Sequence, residues 1–358
     1  MKILFVNAGN ETGGGRTHMV QLIKALNQTP GNQAELLVFE DGPVAQMARA
    51  NHEPVTVIPQ KSQIDISVLS KYRQFVAAGH FDIVHSHGPR ANVLTNMIRK
   101  KITAKWVVTV HSEPHVDFPR QGLKGKLFLQ AHIHALRHAR HLFLITDYFR
   151  PELRSDGIPD HDMTEIFNAI SFDDTSHHVA NSNQFELLNV ARLAPVKNQA
   201  LLLSALHQVS FPYHLNIVGD GITHDELARQ ITDLGLTKQV TLAGFHKNTA
   251  NYYRAADLFV LPSDSEGFPT VLLEAANWEL PAIATDVGSD KKVIHSVENG
   301  WVIPMQDEDA LVNALNDAYA DYQHGLLPEK GRLFKTFAAA NFSVQRLAQV
   351  MLKAYAEV

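Results

Sequence analysis

Cysteine is absent from all 358 residues. That excludes disulfides and thiol chemistry, and it fits a cytoplasmic protein. No apolar run reaches the roughly 18 residues that a membrane-spanning helix needs. Met1-Lys2 leads directly into the strand-like run Ile3 to Asn7, so a signal peptide is not expected. A basic excess is also lacking: the formal net charge is −5, which argues against nucleic acid as a partner.

The chain is 45% hydrophobic and 19% charged, a globular balance. At this length two domains of about 150 to 180 residues each are expected. The charge is uneven. Residues 1–170 carry 19 Lys/Arg against 15 Asp/Glu, and the rest 13 against 22. Within 90–154 there are 12 basic residues, 4 acidic residues and six histidines.

Apolar, β-branched runs alternate with segments of helical spacing along the whole chain. Ile3 to Asn7, 55–59, 81–87, 104–111 and 141–146 read as strands, with helical patterns from Arg16 and over 65–79 and 89–101. A polar stretch, 171–184, then interrupts the pattern as a linker. The alternation resumes with strands at 185–192, around 214–221 and at 239–245, and helices at 198–209, 224–235 and 248–256. The reading is therefore α/β: two doubly wound, Rossmann-like domains over 1–170 and 185–340. A closing amphipathic helix, 341–358, carries Leu347, Val350, Met351 and Tyr355 on one side and can dock back on the first domain.

The stretch Asp257 to Val287 organises the second domain. Leu258 to Leu261 stops at Pro262-Ser263, a polar loop holds Glu266, Gly267 and Phe268, and Thr270 opens a helix containing Glu274. Unpaired N–H groups at such a helix start favour an anion. Two carboxylates with seven residues between them suit the hydroxyls of a ligand that carries phosphate in its middle. In the first half, Gly13, Gly14 and Gly15 separate a strand from a helix and let backbone approach a ligand closely. This is not G-x-G-x-x-G, although Glu40 sits where a ribose-binding acid would, so an NAD site is one open reading. His111 ends a strand where such sheets meet their ligands.

Three further features have simpler accounts beside them. Residues 120–141 place Leu127, Leu129, Ile133 and Leu136 among Lys124, Lys126, Arg137 and Arg140, which suits either an anionic membrane surface or an ordinary solvated helix face. His134, His138 and His141 have a spacing that a metal could use, but no acidic or cysteine partner accompanies them. Asp307-Glu308-Asp309 precedes a periodic run and reads as a helix cap rather than a Mg²⁺ site; Asp160-His161-Asp162 stands in a turn. No metal is expected.

Taken in order, Val190 to Leu206, Ile217 to Gly221, Val240 to Phe245 and Ser263 to Ala275 resemble the retaining glycosyltransferases of family 4, with the GT-B fold. The likeness is dense over 185–304 and looser in the first half. It implies two Rossmann-like domains facing across a cleft and a nucleotide-sugar donor, most commonly a UDP-sugar. It also implies a saccharide or lipid-linked acceptor, as in cell-surface polysaccharide or glycolipid synthesis, with neither cofactor nor metal. Carried onto this chain, Arg192 and Lys197 hold the diphosphate, Glu266 faces the donor sugar and Glu274 the ribose, and His111 lies near the transferred sugar. Gly219, Phe245, Gly267, Phe268, Thr270 and Val271 border the donor, and Gly13 to Gly15 close on it. The Ala243 to His246 loop is a candidate for the base.

Glu266 can serve as nucleophile or as a positioning group; its expected hydrogen bonds to sugar hydroxyls suit positioning. Two departures from the family pattern stand out. Trp278-Glu279 replaces the usual small residue and Gly before Leu280-Pro281, and Ser289 to Lys292 replaces the usual continuation after Gly288. A sugar-nucleotide-binding subunit without activity, or less directly an NAD-dependent oxidoreductase, is the alternative. Basic residues in 90–154 leave peripheral contact with the inner membrane face open.

Overall fold

A computed structural model describes residues 1–12, 14–62, 65–117, 122–174 and 184–358. The chain divides into two compact units, Met1–Ser171 with Val344–Val358, and Phe172–Ser343.

The first unit is built on seven parallel strands: β1 (Lys2–Asn7), β2 (Gln33–Val38), β3 (Val55–Val57), β4 (Ile83–His87), β5 (Lys105–Val110), β6 (His141–Leu144) and β7 (Met163–Glu165). Their order is β3-β2-β1-β4-β5-β6-β7. Strands such as β4 and β6 are buried along their whole length, because helices cover both faces of a parallel sheet. The order reverses between β1 and β4, where Asn7 pairs in register with His87, and ligand crevices form at such a point.

Helix Val344–Glu357 belongs to this unit. Val344, Leu347, Ala348, Met351 and Tyr355 join Ile3, Phe5, Met19 and Leu22 in one core. The Tyr355 hydroxyl lies 2.6 Å from His85 Nδ1, tying the last helix to the central strand.

The second unit has six parallel strands: β8 (Phe185–Val190), β9 (Tyr213–Val218), β10 (Val240–Gly244), β11 (Leu258–Leu261), β12 (Ala282–Thr285) and β13 (Gly300–Ile303). Their order, β10-β9-β8-β11-β12-β13, is that of the doubly wound dinucleotide-binding sheet, with the reversal between β8 and β11.

Some readings are corrected. The third strand stops at Val57, and the helix expected over 65–79 begins at Val68. The segment 120–141 is not one amphipathic surface: helix Gly122–Leu136 ends there, Ile133 and Leu136 face the core, and only Leu127 among the four apolar residues is exposed. His141 consequently sits on β6, its Nε2 2.8 Å from the Thr164 hydroxyl, away from His134 and His138. Most of 171–184 lies outside the described residues. Asp307 does cap helix Glu308–Gln323, accepting from the Ala310 N–H at 2.8 Å.

The missing glycine after helix Thr270–Asn277 has a structural answer. Leu280 N–H donates to Ala275 and Glu279 N–H to Ala276, a Schellman closure that puts Glu279 itself at φ +59°. A side chain in that conformation costs about 1–2 kcal/mol. Lys335 stands 3.4 Å from the Glu279 carboxylate and recovers only part of it. Glu279→Gly is therefore expected to stabilise the second unit by about 1 kcal/mol in chemical denaturation, and a loss of stability would show that the Lys335 contact outweighs the backbone.

Candidate active site

The loop after β8 is shaped by its neighbours. Leu193 N–H donates to the Asp220 carbonyl at 2.9 Å, and Gly219 and Gly221 leave no space for side chains. A Cβ on Gly219 (φ +151°) would lie 1.9 Å from the Ala191 carbonyl oxygen. Arg192 stands exposed on this loop. A short turn, Pro195–Lys197, follows and ends at Asn198 in the left-handed region, φ +51°.

That turn is fastened to the loop after β11. The Asp264 N–H donates to the Val196 carbonyl at 2.8 Å, and Asn198 Nδ2 to Asp264 Oδ1 at 3.0 Å. Lys197 is thereby laid on Glu266, Nζ to Oε1 2.6 Å, with side-chain exposures of 20% and 9%. The Ser263 hydroxyl donates to the same oxygen at 2.7 Å. Thr285 in turn fixes Ser263 by donating to its carbonyl at 2.5 Å. From the β12 side, Gly288 (φ +54°) sits so close that a Cβ there would be 2.0 Å from the Glu266 carbonyl oxygen.

Glu274 lies on the next helix and is half-buried. Burial pushes its carboxyl up, while the Tyr253 hydroxyl, donating to Oε2 at 3.0 Å, pulls it down. Tyr253 is almost wholly buried, and desolvation and the neighbouring Glu274 hold its phenol well above the ordinary range. The N–H groups of Thr270 and Val271 have no backbone acceptor, whereas Leu272 donates to the Pro269 carbonyl at 3.2 Å. Phe268 is core, its ring 5.3 Å from that of Phe342. Phe245, beyond β10, is 75% exposed, and His246 Nε2 stands 3.0 Å from the Tyr252 hydroxyl.

In the first unit His111 directly follows β5. Its Nε2 is 2.9 Å from His87 Nδ1, and its ring meets that of His18 edge-on at 5.4 Å. Gly15 fits between this ring and Glu11: a Cβ would lie 3.3 Å from His111 Cγ and 2.0 Å from Glu11 Oε1. Gly14 faces open space, and Gly13 lies outside the described residues. Asn7 Nδ2 donates to Glu11 at 3.0 Å and to the His87 carbonyl at 3.1 Å. Burial, reinforced by the neighbouring His18, lowers His111 to about 3; burial lowers His18 to about 4, and burial with the neighbouring imidazoles holds His85 and His87 well below the ordinary range. All four are neutral near pH 7, so His111 offers a hydrogen bond and no charge. Glu40 is engaged by Arg90, which lies 3.4 Å away.

The structure thus brings Lys197, Glu266 and Glu274 into one unit with Arg192, and His111 with Gly14 and Gly15 into the other. Sequence reasoning missed Ser263, Tyr253, Asp290, Glu11, His18 and His87. Ser263 was open to view, three residues before Glu266 in the same loop; the others are joined to the site only by folding. Among the described residues one trio, His115, Glu152 and Asp156, has the closeness a metal would need, but His115 Nε2 already bonds Asp156 at 3.0 Å.

Two doubly wound sheets, one bearing a lysine-held carboxylate and a second Glu eight residues on, define a GT-B glycosyltransferase. The comparisons agree: residues 12–174 match Glycosyltransferase Family 4, and 172–330 match Glycosyl transferases group 1. The chain belongs to glycosyltransferase family 4.

It is 27% identical over 268 residues to the UDP-Gal:alpha-D-GlcNAc-diphosphoundecaprenol alpha-1,3-galactosyltransferase of Escherichia coli, covering 70% of this chain and 69% of that one. A Campylobacter jejuni N-acetylgalactosaminyltransferase acting on a diphospho-undecaprenol sugar is 29% identical over 161 residues, 44% of each chain. In fold, the chain matches Anabaena HepE in complex with UDP at TM-score 0.83 and 22% identity, over 100% of both chains.

The buried histidines set a pH dependence. Their folded pKa values lie below the unfolded 6.5, so the unfolded chain binds more protons as pH falls. The stability they confer is complete above about 6.5 and drains away towards the folded values of about 4 for His18 and about 3 for His111. The melting temperature of the first unit is expected to fall steadily from pH 6.5 to pH 4; a flat curve would mean the cluster is not buried and neutral.

Proposed function

We propose that this protein is a retaining, metal-independent glycosyltransferase that moves a sugar from a UDP-sugar to a saccharide or lipid-linked acceptor in cell-surface polysaccharide or glycolipid synthesis. The observation that carries the reading is the Lys197–Glu266 pair at the carboxyl edge of the second sheet, with exposed Arg192 on the same loop. Burying an ion pair costs desolvation of order several kcal/mol per ion, so it is poorly explained by stability alone. Two relatives support the substrate class, since their names state lipid-diphosphate-linked sugars, and the UDP bound to HepE supports the base.

In this reading Arg192 and Lys197 bind the donor diphosphate and offset its charge as it leaves. Thr270 and Val271 offer amides, Glu274 takes the ribose diol, and Glu266 orients the sugar hydroxyls. Gly219 and Gly267 let backbone approach, and Phe245 borders the base. The acceptor hydroxyl attacks the anomeric carbon on the face from which phosphate departs. The carbon–phosphate oxygen bond breaks with its electron pair on the nucleoside diphosphate, whose phosphate takes the acceptor proton. On the first unit, neutral His111, with Gly14 and Gly15 beside it, offers a sugar a hydrogen bond and no charge.

Calorimetry with UDP, GDP, ADP, TDP and NAD tests the class. UDP is expected to bind without metal, and Glu274→Ala to abolish that binding. Binding of NAD alone would replace the reading with an oxidoreductase, and donor binding without transfer to any acceptor would leave a subunit. Lys197→Ala is expected to lower donor turnover about tenfold to a thousandfold with the fold intact, as one charge-assisted contact is lost. Unchanged turnover would remove Lys197 from the diphosphate.

Among the described residues no helix is long and apolar enough to cross a membrane. Reaching a lipid-linked acceptor then falls to the surface, and we place the contact, at the inner membrane face, on exposed Lys100, Lys101, Lys124 and Lys126 with Met97 and Leu127, 48% and 65% exposed. Binding to anionic vesicles is expected to weaken as salt rises through about 0.15 M. Absent or salt-independent binding would refute this surface.

A further inference from the structure

The loop that departs from the family pattern after Gly288 holds two polar side chains with nothing to bond. Asp290 is 0% exposed and Ser289 1%, yet neither Asp290 oxygen nor the Ser289 hydroxyl has a hydrogen-bond partner. A buried polar group without a partner is costly, and an apolar residue would have filled the same space at no such cost. The place is specific. Gly288 presses this loop onto the backbone of Glu266 and Gly267, with a Cβ at Gly288 falling 2.0 Å from one carbonyl oxygen and 2.8 Å from the other.

Resting on the donor-site reading above, we propose that Asp290 is a positioning residue: a protonated carboxyl beside Glu266 that lets Lys197 leave Glu266 for the donor diphosphate. The charges facing Asp290 are Glu266, Lys197 and Asp286, the last held by Lys291. Glu274, on the helix packed against Asp290–Val293, is occupied by Tyr253. A single ammonium, that of Lys197, neutralises Glu266, so the neighbourhood is balanced only with Asp290 uncharged. When the diphosphate draws Lys197 away, Glu266 loses its ammonium. A second carboxylate next to it would then oppose the transfer, as like charges in one buried site do. A neutral carboxyl does not. Burial first, and Glu266 next, push Asp290 up to about 9, in keeping with this role.

The test is UDP binding by calorimetry between pH 7 and pH 10, for the wild type, Asp290→Asn and Lys197→Ala. The wild type is expected to lose affinity about tenfold per pH unit once Asp290 ionises, near 9, through linkage to one proton. Asp290→Asn, a neutral amide of the same shape, is expected to bind UDP normally at pH 7 and to lack that component of the alkaline loss. The uracil ring titrates in the same range, and comparing variant with wild type removes its contribution. Should Asp290→Asn fail to fold, Asp290→Leu replaces it, with the same expectation. Superimposable profiles, or a folded variant that binds UDP at no pH, would overturn the role of Asp290. The donor-site reading fails separately: wild type that does not bind UDP, or Lys197→Ala that binds it as well as wild type, would overturn both.

Discussion

The second unit depends on a lysine held against a carboxylate in a place where neither is well hydrated. Lys197 and Glu266 come from different loops and meet at 2.6 Å only because the backbone around them is fixed. Asn198 accepts a left-handed conformation, Asp264 is bonded to that turn through its N–H and its carboxylate, Ser263 supplies a second donor, and Gly288 permits close approach from a third loop. Each device is a local cost or constraint with no return except the geometry of that pair. A buried pair of this kind contributes little net stability, but the removal of one partner strands the other. In the proposed function this is the cation exchanged from an internal carboxylate to an incoming anion.

The first unit solves a different problem with a different chemistry. Three imidazoles, His85, His87 and His111, with Thr109 and Tyr355, link its sheet to its last helix, and these histidines are held neutral. Here polarity is buried as hydrogen bonds rather than charge. The chain His85–Tyr355 also explains why the terminal helix belongs to this unit: it completes both an apolar core and a polar partner for the central strand. In the proposed function a face lined this way would offer hydrogen bonds to sugar, and the charged second unit would suit phosphate.

The strands were legible because parallel strands buried on both faces read as β-branched apolar runs, as in Trp106 to Val110 and Leu258 to Leu261. The positions of Arg192, Lys197 and Glu266 were legible through motif order, since the loops that carry them are short and follow strands directly, and Glu274 follows on the next helix. What escaped was set by contacts distant in sequence. Tyr253 reaches Glu274 across 21 positions, and His18 meets His111 across 93. The helix after Gly122 reads as an amphipathic surface because periodicity does not say which apolar residues already have a core to enter. Glu279 shows the same limit for backbone: a Schellman closure with Glu at positive φ has no glycine to announce it.

The two motif carboxylates are poised in opposite ways. Glu266 is matched to an ammonium, so an anion that takes the ammonium leaves it in need of donors. Glu274 has a phenol in place of a cation, and burial pushes its carboxyl up. A vicinal diol brings two O–H donors, which favour the charged form of whichever carboxylate receives them. In the proposed donor site, sugar hydroxyls at Glu266 would replace what the diphosphate removes, and ribose hydroxyls at Glu274 would add to what Tyr253 begins. On that proposal phosphate and sugar would strengthen each other's binding through charge, and a donor carrying both parts would be held more tightly than its fragments suggest.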